Sequence, residues 1–110
     1  MIKVSLSAEA ERDLSQIKRY VTDELENPAA AKRILAGITK RIRILSKFPE
    51  LGPSLATIVS FRSDYRFLVC GNYLAFYLYE QNVVLVDRVL YGKRDFVKVL
   101  FGGLSENEEC

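Results

Sequence analysis

The sequence predicts an α+β fold: an N-terminal strand, an antiparallel helical hairpin, an antiparallel sheet ending in a three-stranded meander, and a short C-terminal helix. Three observations carry this expectation. Residues 65–91 hold three β-branched and aromatic runs separated by the two-residue gaps Gly71-Asn72 and Gln81-Asn82, the pattern of consecutive β-hairpins. Upstream, apolar residues recur at spacings of three and four from Ala10 to Leu25 and from Ala31 to Leu45, the period of amphipathic helices. Helical and strand segments are therefore segregated along the chain rather than alternating, which is the mark of α+β.

Residues 1–6, MIKVSL, alternate well enough for a first strand. Ser7 is a good N-cap, and Ala8-Glu9 open a helix with an acid in its first turn. The stripe of this helix is Ala10, Leu14, Ile17, Val21 and Leu25. Asn27-Pro28 ends it and starts the next, with Asn as N-cap and Pro at the first helical position. Ala31, Ile34, Leu35, Ile38, Ile42 and Leu45 form the second stripe, which Lys47-Phe48-Pro49 closes before a turn at Gly52-Pro53. Two helices joined by so short a link are expected to fold back on each other. Residues 49–64 read as a loop with a short edge strand around Thr57–Phe61. The meander strands span about 65–70, 73–80 and 83–91, and Asp95 caps one or two helical turns ending near Phe101. Residues 1–101 are expected to form one domain. Residues 102–110, with Gly102-Gly103 and the acids Glu106, Glu108 and Glu109, read as a disordered acidic tail.

Tight loops pair Cys70 with Tyr73 and Glu80 with Val83, which places Arg66 beside Tyr77 and Val86, and Leu68 beside Ala75 and Arg88. Side chains alternate between faces along a strand. One face then carries Arg66, Leu68, Cys70, Tyr73, Ala75, Tyr77, Tyr79, Val84, Val86, Arg88 and Leu90. The other carries Tyr65, Phe67, Val69, Leu74, Phe76, Leu78, Val83, Leu85, Asp87, Val89 and Tyr91. The second face is the more apolar and is expected to receive the helices. The first is expected to be a mixed surface for something anionic or flat. An arginine within a strand must face solvent, a partner anion or a buried acid, and the sequence leaves all three open for Arg66 and Arg88. The second helix has a basic side, Lys32, Arg33, Lys40, Arg41, Arg43 and Lys47, which reads either as a solvated face or as a surface for an acidic partner.

A chain of 110 residues supports one modest core. Its 49% hydrophobic and 27% charged residues are ordinary for a soluble globular protein. No run approaches the roughly 18–20 apolar residues of a membrane span, and no basic stretch followed by an apolar one opens the chain. A cytoplasmic protein without membrane contact is expected. Cys70 in a strand and Cys110 at the end are too few and too far apart in kind for a disulfide framework or a metal site. The absence of histidine excludes Ser-His-Asp and Cys-His catalysis and His-containing metal sites. No cofactor or metal is expected. The net charge is +2, but with the tail acids set aside the domain is more basic, a charge compatible with nucleic acid without establishing it.

Several short pieces occur in a fixed order. They are L-x-x-I-x-x-Y (Leu14, Ile17, Tyr20), P-x-A-A (Pro28 to Ala31), F-P-x-L-G (Phe48 to Gly52), Y-R-x-L-V (Tyr65 to Val69), N-Y-x-x-F-Y (Asn72 to Tyr77) and R-V-L-Y-G-K-R-D (Arg88 to Asp95). In this order and spacing the chain resembles the RelE/ParE superfamily of toxins from bacterial type II toxin–antitoxin modules, over about residues 2–101. The resemblance implies a small α+β toxin, an antitoxin partner encoded beside it, and growth arrest when the toxin is free, as in plasmid stabilisation or addiction. Two activities are implied: RelE-like members cleave messenger RNA in the ribosome, whereas ParE-like members poison DNA gyrase.

Ribonuclease chemistry of this kind needs a base, an acid and cations for developing charge. Arg66 matches the strand arginine of the RelE-like nucleases and Arg94 the arginine after their last strand; both suit bidentate phosphate binding. The paired lysines of those nucleases fall near Thr57 and Val59, and their C-terminal tyrosine near Leu100, so both are missing. In the YoeB-like branch, which uses Glu, Arg and His, Arg66 fits the Arg and Glu50 loosely fits the Glu. Tyr91 stands in the place of the His. A tyrosine of ordinary pKa, about 10, is a poor base at neutral pH. The long helical hairpin and the R-V-L-x-G-x-R-D ending look more ParE-like. The expected binding face is Arg66, Tyr73, Tyr77, Arg88, Tyr91, Lys93 and Arg94, with Arg66 and Arg94 catalytic only in an endoribonuclease. Three functions remain open from the residues: a ParE-like gyrase poison, a RelE-like endoribonuclease acting on ribosome-bound message, and an interaction module without toxicity.

Overall fold

The structure, a computed structural model, describes residues 2–102; the expected acidic tail therefore lies, from residue 103 onward, outside the described residues. Strand β1 spans Lys3–Leu6 and leads directly into helix α1, Ala8–Arg19. Ser7 joins the two: its Oγ accepts from the Ala10 N–H at 2.9 Å and donates to the Asp87 carbonyl at 2.7 Å, so the cap also fixes the helix start to the sheet. Beyond Arg19 the helix continues through a wider turn, Tyr20–Glu24, in which the Leu25 N–H reaches back five residues to the Tyr20 carbonyl at 3.2 Å. Helix α2, Pro28–Ile44, starts as read from the sequence, with Asn27 Oδ1 accepting from the Ala30 N–H at 3.0 Å. The meander is β2 Arg66–Cys70, β3 Tyr73–Glu80 and β4 Val83–Tyr91. Helix α3, Phe96–Phe101, is capped by Asp95.

Both hairpin loops have the two residues the sequence requires. Gln81 and Asn82 both lie at positive φ (51° and 64°), as the twist-matched turn between β3 and β4 demands, and Gly71 supplies the positive φ (63°) between β2 and β3. The sheet order is β1-β4-β3-β2. Strand β1 lies parallel to β4, with Lys3 beside Val83 and Leu6 beside Val86. The sheet is thus mixed, which corrects the expectation of an antiparallel sheet. The connection from β1 to the meander passes through both long helices, and a crossover of that length permits parallel pairing.

The face assignment needs a larger correction. Pairing of β2 with β3 follows the predicted register, Arg66 beside Tyr77 and Leu68 beside Ala75. Between β3 and β4, however, Tyr77 pairs with Val86 while its neighbour Phe76 pairs with Arg88, which leaves Asp87 as an extra residue in a β-bulge. Beyond the bulge the faces of β4 exchange: Val89 joins Leu68, Cys70 and Ala75, and Leu90 joins Phe76. The helical hairpin covers the face expected to stay open, where Ala10, Ile38, Ile42 and Leu45 pack on Leu68, Ala75, Tyr77, Val84, Val86 and Val89. The more apolar face packs Phe76 and Leu90 against Leu55, Val59 and Val97. Comparing the two faces could not tell which receives the hairpin, because both are covered. The expected edge strand around Thr57–Phe61 does not form. Instead a tight turn at Leu55–Thr57 follows a single bridge of Ser54 to Arg66, and the loop hydrogen-bonds to β2 through Leu55 N–H to Tyr65 O (2.7 Å) and Phe67 N–H to Pro53 O (3.1 Å). Among the described residues no helix is long and apolar enough to cross a membrane.

Candidate interaction groove and the strand arginines

The stripe of α1 is longer than the sheet it covers. Ala10 and Val21 are buried, but Leu25 is 57% exposed, which corrects its expected place in the core. Tyr20 and Tyr91 are exposed as well. Past the end of the sheet these residues, with Ile17, Ile34 and Gly37, line a groove of about 910 Å³ between the helical hairpin and the β2–β3 turn. Its walls are mainly apolar, and Arg33, Arg41 and Arg94 stand among its lining residues. Arg41 is half-buried and donates from Nε to the Val69 carbonyl at 3.2 Å. Among the described residues Arg33 and Arg94 make no ion pair. Tyr73 packs edge-on against Tyr91, ring centroids 5.8 Å apart, and burial first, then the neighbouring Tyr91 and Tyr20, push its hydroxyl pKa up. Lys93 lies just outside, in a shallow depression with Gly71, Asn72 and Gly92.

Arg66 lies away from the groove, at the start of the edge strand β2, in a row with Tyr77 and Val86 midway along the sheet. Its Nη1 donates to the Gly52 carbonyl at 2.7 Å and to the Glu50 carbonyl at 3.4 Å, and Nη2 meets Glu50 Oε2 at 3.4 Å. Tyr77 works from beneath: its hydroxyl accepts from the Gly52 N–H at 3.0 Å and donates to the Pro49 carbonyl at 2.8 Å. The F-P-x-L-G segment is therefore clamped on β2 and β3 by two side chains. Tyr77 is fully buried, so it belongs to the core and not, as expected, to a binding surface. Burial is the main cause that raises its pKa, against the Gly52 N–H bond and the nearby Arg66, which lower it.

Arg88 resolves the three alternatives for a strand arginine in favour of a buried acid. Its Nε and Nη2 donate to Asp13 Oδ2 and Oδ1 at 2.8 and 2.9 Å, and Asp13 Oδ2 also accepts the Val89 N–H at 2.9 Å. Asp13 is buried on α1, and its hydrogen bond is the first cause that raises the Arg88 pKa. Arg88 thus ties α1 to the β4 bulge, which corrects its expected place on a binding face. The extra residue of the bulge is also used, since Asp87 Oδ2 accepts from the Tyr65 hydroxyl at 2.6 Å. Burial and that bond push the Tyr65 pKa up to about 12.

The predicted site residues therefore divide into three places. Tyr73, Tyr91 and Arg94 meet at the groove, with Lys93 beside them. Arg66 pairs with Glu50, and Arg88 with Asp13. Arg66 and Arg94 are not brought together: the Arg66–Tyr77 row and the Tyr73–Tyr91 row are four residues apart on β3, about 13 Å at strand rise. Sequence reasoning missed Asp13, Tyr20 and Gly37. Asp13 had a signal, since it falls on the apolar stripe beside Leu14, three residues after Ala10.

The family described as ParE toxin of type II toxin-antitoxin system, parDE, matches residues 4–96. No curated protein matches the chain. Among solved structures, one titled "Chromosomal ParDE TA system from P. aeruginosa" superposes with a TM-score of 0.70 at 17% identity, covering 83% of this chain and 96% of that one. A crystal structure of YafQ from E. coli strain BL21(DE3) superposes with a TM-score of 0.50 at 14% identity, covering 93% of this chain and all of that one (100%). At these identities the structural likeness concerns the fold.

Proposed function

We propose, from the premise that the chain belongs to the ParE toxin family of type II toxin–antitoxin systems, that it arrests growth by binding DNA gyrase and is neutralised when its cognate antitoxin occupies the groove. One observation carries the preference for binding over catalysis: the residues that could hold a scissile phosphate are held apart, Arg66 at the start of the edge strand β2 and Arg94 past the C-terminal end of β4. Attack of a 2′-hydroxyl on phosphate requires base, acid and cation within hydrogen-bond reach of one another. Here Arg66 spends its guanidinium on the carbonyls of the 50–52 segment and on Glu50, while Tyr91 and Arg94 face the groove. The groove itself suits an amphipathic acidic segment that folds on binding, with apolar walls for one side and arginines for the other.

A second reading, an endoribonuclease acting on ribosome-bound message, is favoured by one contact. Glu50 and Arg66 meet at 3.4 Å, and a Glu–Arg pair is two-thirds of the YoeB-like set. Expression of the chain alone in bacteria separates the readings. The expected outcome is an SOS response with gyrase-linked DNA breaks, and no new cuts in translated messages. Site-specific message cuts that disappear in Arg66→Ala would establish the nuclease instead, and normal growth at good expression would leave an interaction module without toxicity.

A further inference from the structure

Gly37 stands in the middle of α2, the only glycine in that helix. Glycine is the poorest helix former after proline, so a mid-helix glycine calls for a reason. Nothing inside the fold supplies one. The residue is exposed, its φ lies outside the positive range, and a Cβ built there would meet no atom within 4 Å. Gly52 is the contrast, where a Cβ would fall 2.3 Å from the Phe67 carbonyl oxygen. Gly37 opens onto the groove, and one helical turn to either side of it stand Arg33 and Arg41, both of which also line the groove.

We infer that Gly37 is the point at which a helix of the antitoxin crosses α2, the missing side chain letting the two backbones approach and acidic side chains on either side of the crossing reaching Arg33 and Arg41. This rests on the groove being the antitoxin's seat. A helix fits better than an extended strand. The groove is lined by residues of α1, α2 and the end of the sheet, and on the outer edge of β2 the Val69 carbonyl already accepts from Arg41. A helix satisfies its own N–H and C=O groups and so needs no pairing with the outer edge of β2, and only a helix packing face to face on α2 gives the missing side chain at residue 37 a use. Crossing helices sit roughly 8–10 Å apart depending on the side chains at the contact, with the small residues at the near end. The charges agree, since acids flanking the crossing meet cations spaced about 12 Å along α2, eight residues at helical rise.

The test uses the full-length chain and the co-encoded antitoxin, with affinity measured by titration calorimetry and stability by thermal melting. Gly37→Ala is expected to raise the melting temperature by a few degrees, because it improves helix propensity without a clash. The same change should weaken antitoxin binding, and Gly37→Leu should weaken it by about a hundredfold or more while remaining folded. Arg33→Glu serves as the control for the groove itself. If a folded Gly37→Leu binds with unchanged affinity while Arg33→Glu loses it, the crossing is wrong and the groove stands. If neither change affects binding, the antitoxin sits elsewhere and both readings fall.

Discussion

Asp13 is 6% exposed and accepts three hydrogen bonds, two from Arg88 and one from the Val89 N–H. A carboxylate removed from water is tolerated only when paired and fully hydrogen-bonded, and removal of one partner strands the other. Asp13→Ala leaves the Arg88 guanidinium, 22% exposed, and a buried backbone N–H without acceptors. The expected loss is on the order of 3 kcal/mol, measured as a fall in the urea midpoint; an unchanged midpoint would show that the pair is ornamental to stability. The pair also shows where sequence reading stops. Asp13 on an apolar stripe and Arg88 within a strand are each odd alone, but their meeting spans 75 residues. It depends on the bulge that turns Val89 inward, and no local pattern announces that bulge. Arg66 is the same lesson in reverse, because a guanidinium suited to phosphate is equally suited to the carbonyls of a loop.

At the scale of elements, what is local was legible. Ser7, Asn27 and Asp95 cap the helices they precede, and the two-residue gaps close both hairpins. These features depend on chemistry within a few residues. The parallel course of β1, the bulge and the path of the 49–64 loop depend on contacts between distant segments, and they were not legible. That loop has one strict steric requirement, at Gly52. A methyl there meets the Phe67 carbonyl oxygen at 2.3 Å and the Tyr77 ring at 2.9 Å. One obstacle is strand backbone and the other a fully buried ring, so neither can yield cheaply. Overpacking of this kind costs about 1–3 kcal/mol. Gly52→Ala is therefore expected to lower the melting temperature by several degrees, and the Tyr77 and Arg66 bonds to the loop should loosen with it. A melt identical to the parent would mean that the loop shifts freely, contrary to the clamp.

The whole molecule is a sheet with a core on each face, closed by the hairpin on one side and by the loop and α3 on the other. Covering both faces leaves the rim of the sheet as the place where charged side chains can still reach a partner, and two parts of that rim differ. The Tyr73–Tyr91 end carries the groove with Arg33, Arg41 and Arg94; the outer edge, at the start of β2, carries Arg66, bound to Glu50 and to loop carbonyls. If the antitoxin fills the groove, the two parts of the rim should be separable by mutation. Arg94→Glu puts an acid against an acidic partner at an exposed rim, where like charges slow association and cost affinity. A loss of about tenfold is expected at low salt, shrinking as ionic strength rises and the Debye length falls below about 10 Å. Arg66→Ala, about 13 Å away along the strands, is expected to leave that affinity within about twofold, since sites at such separation act nearly independently. Calorimetric titration of both variants at two salt concentrations decides the matter. Equal losses from the two substitutions would mean that the antitoxin runs from the groove along the edge of β2, and that the two parts of the rim form one continuous binding surface.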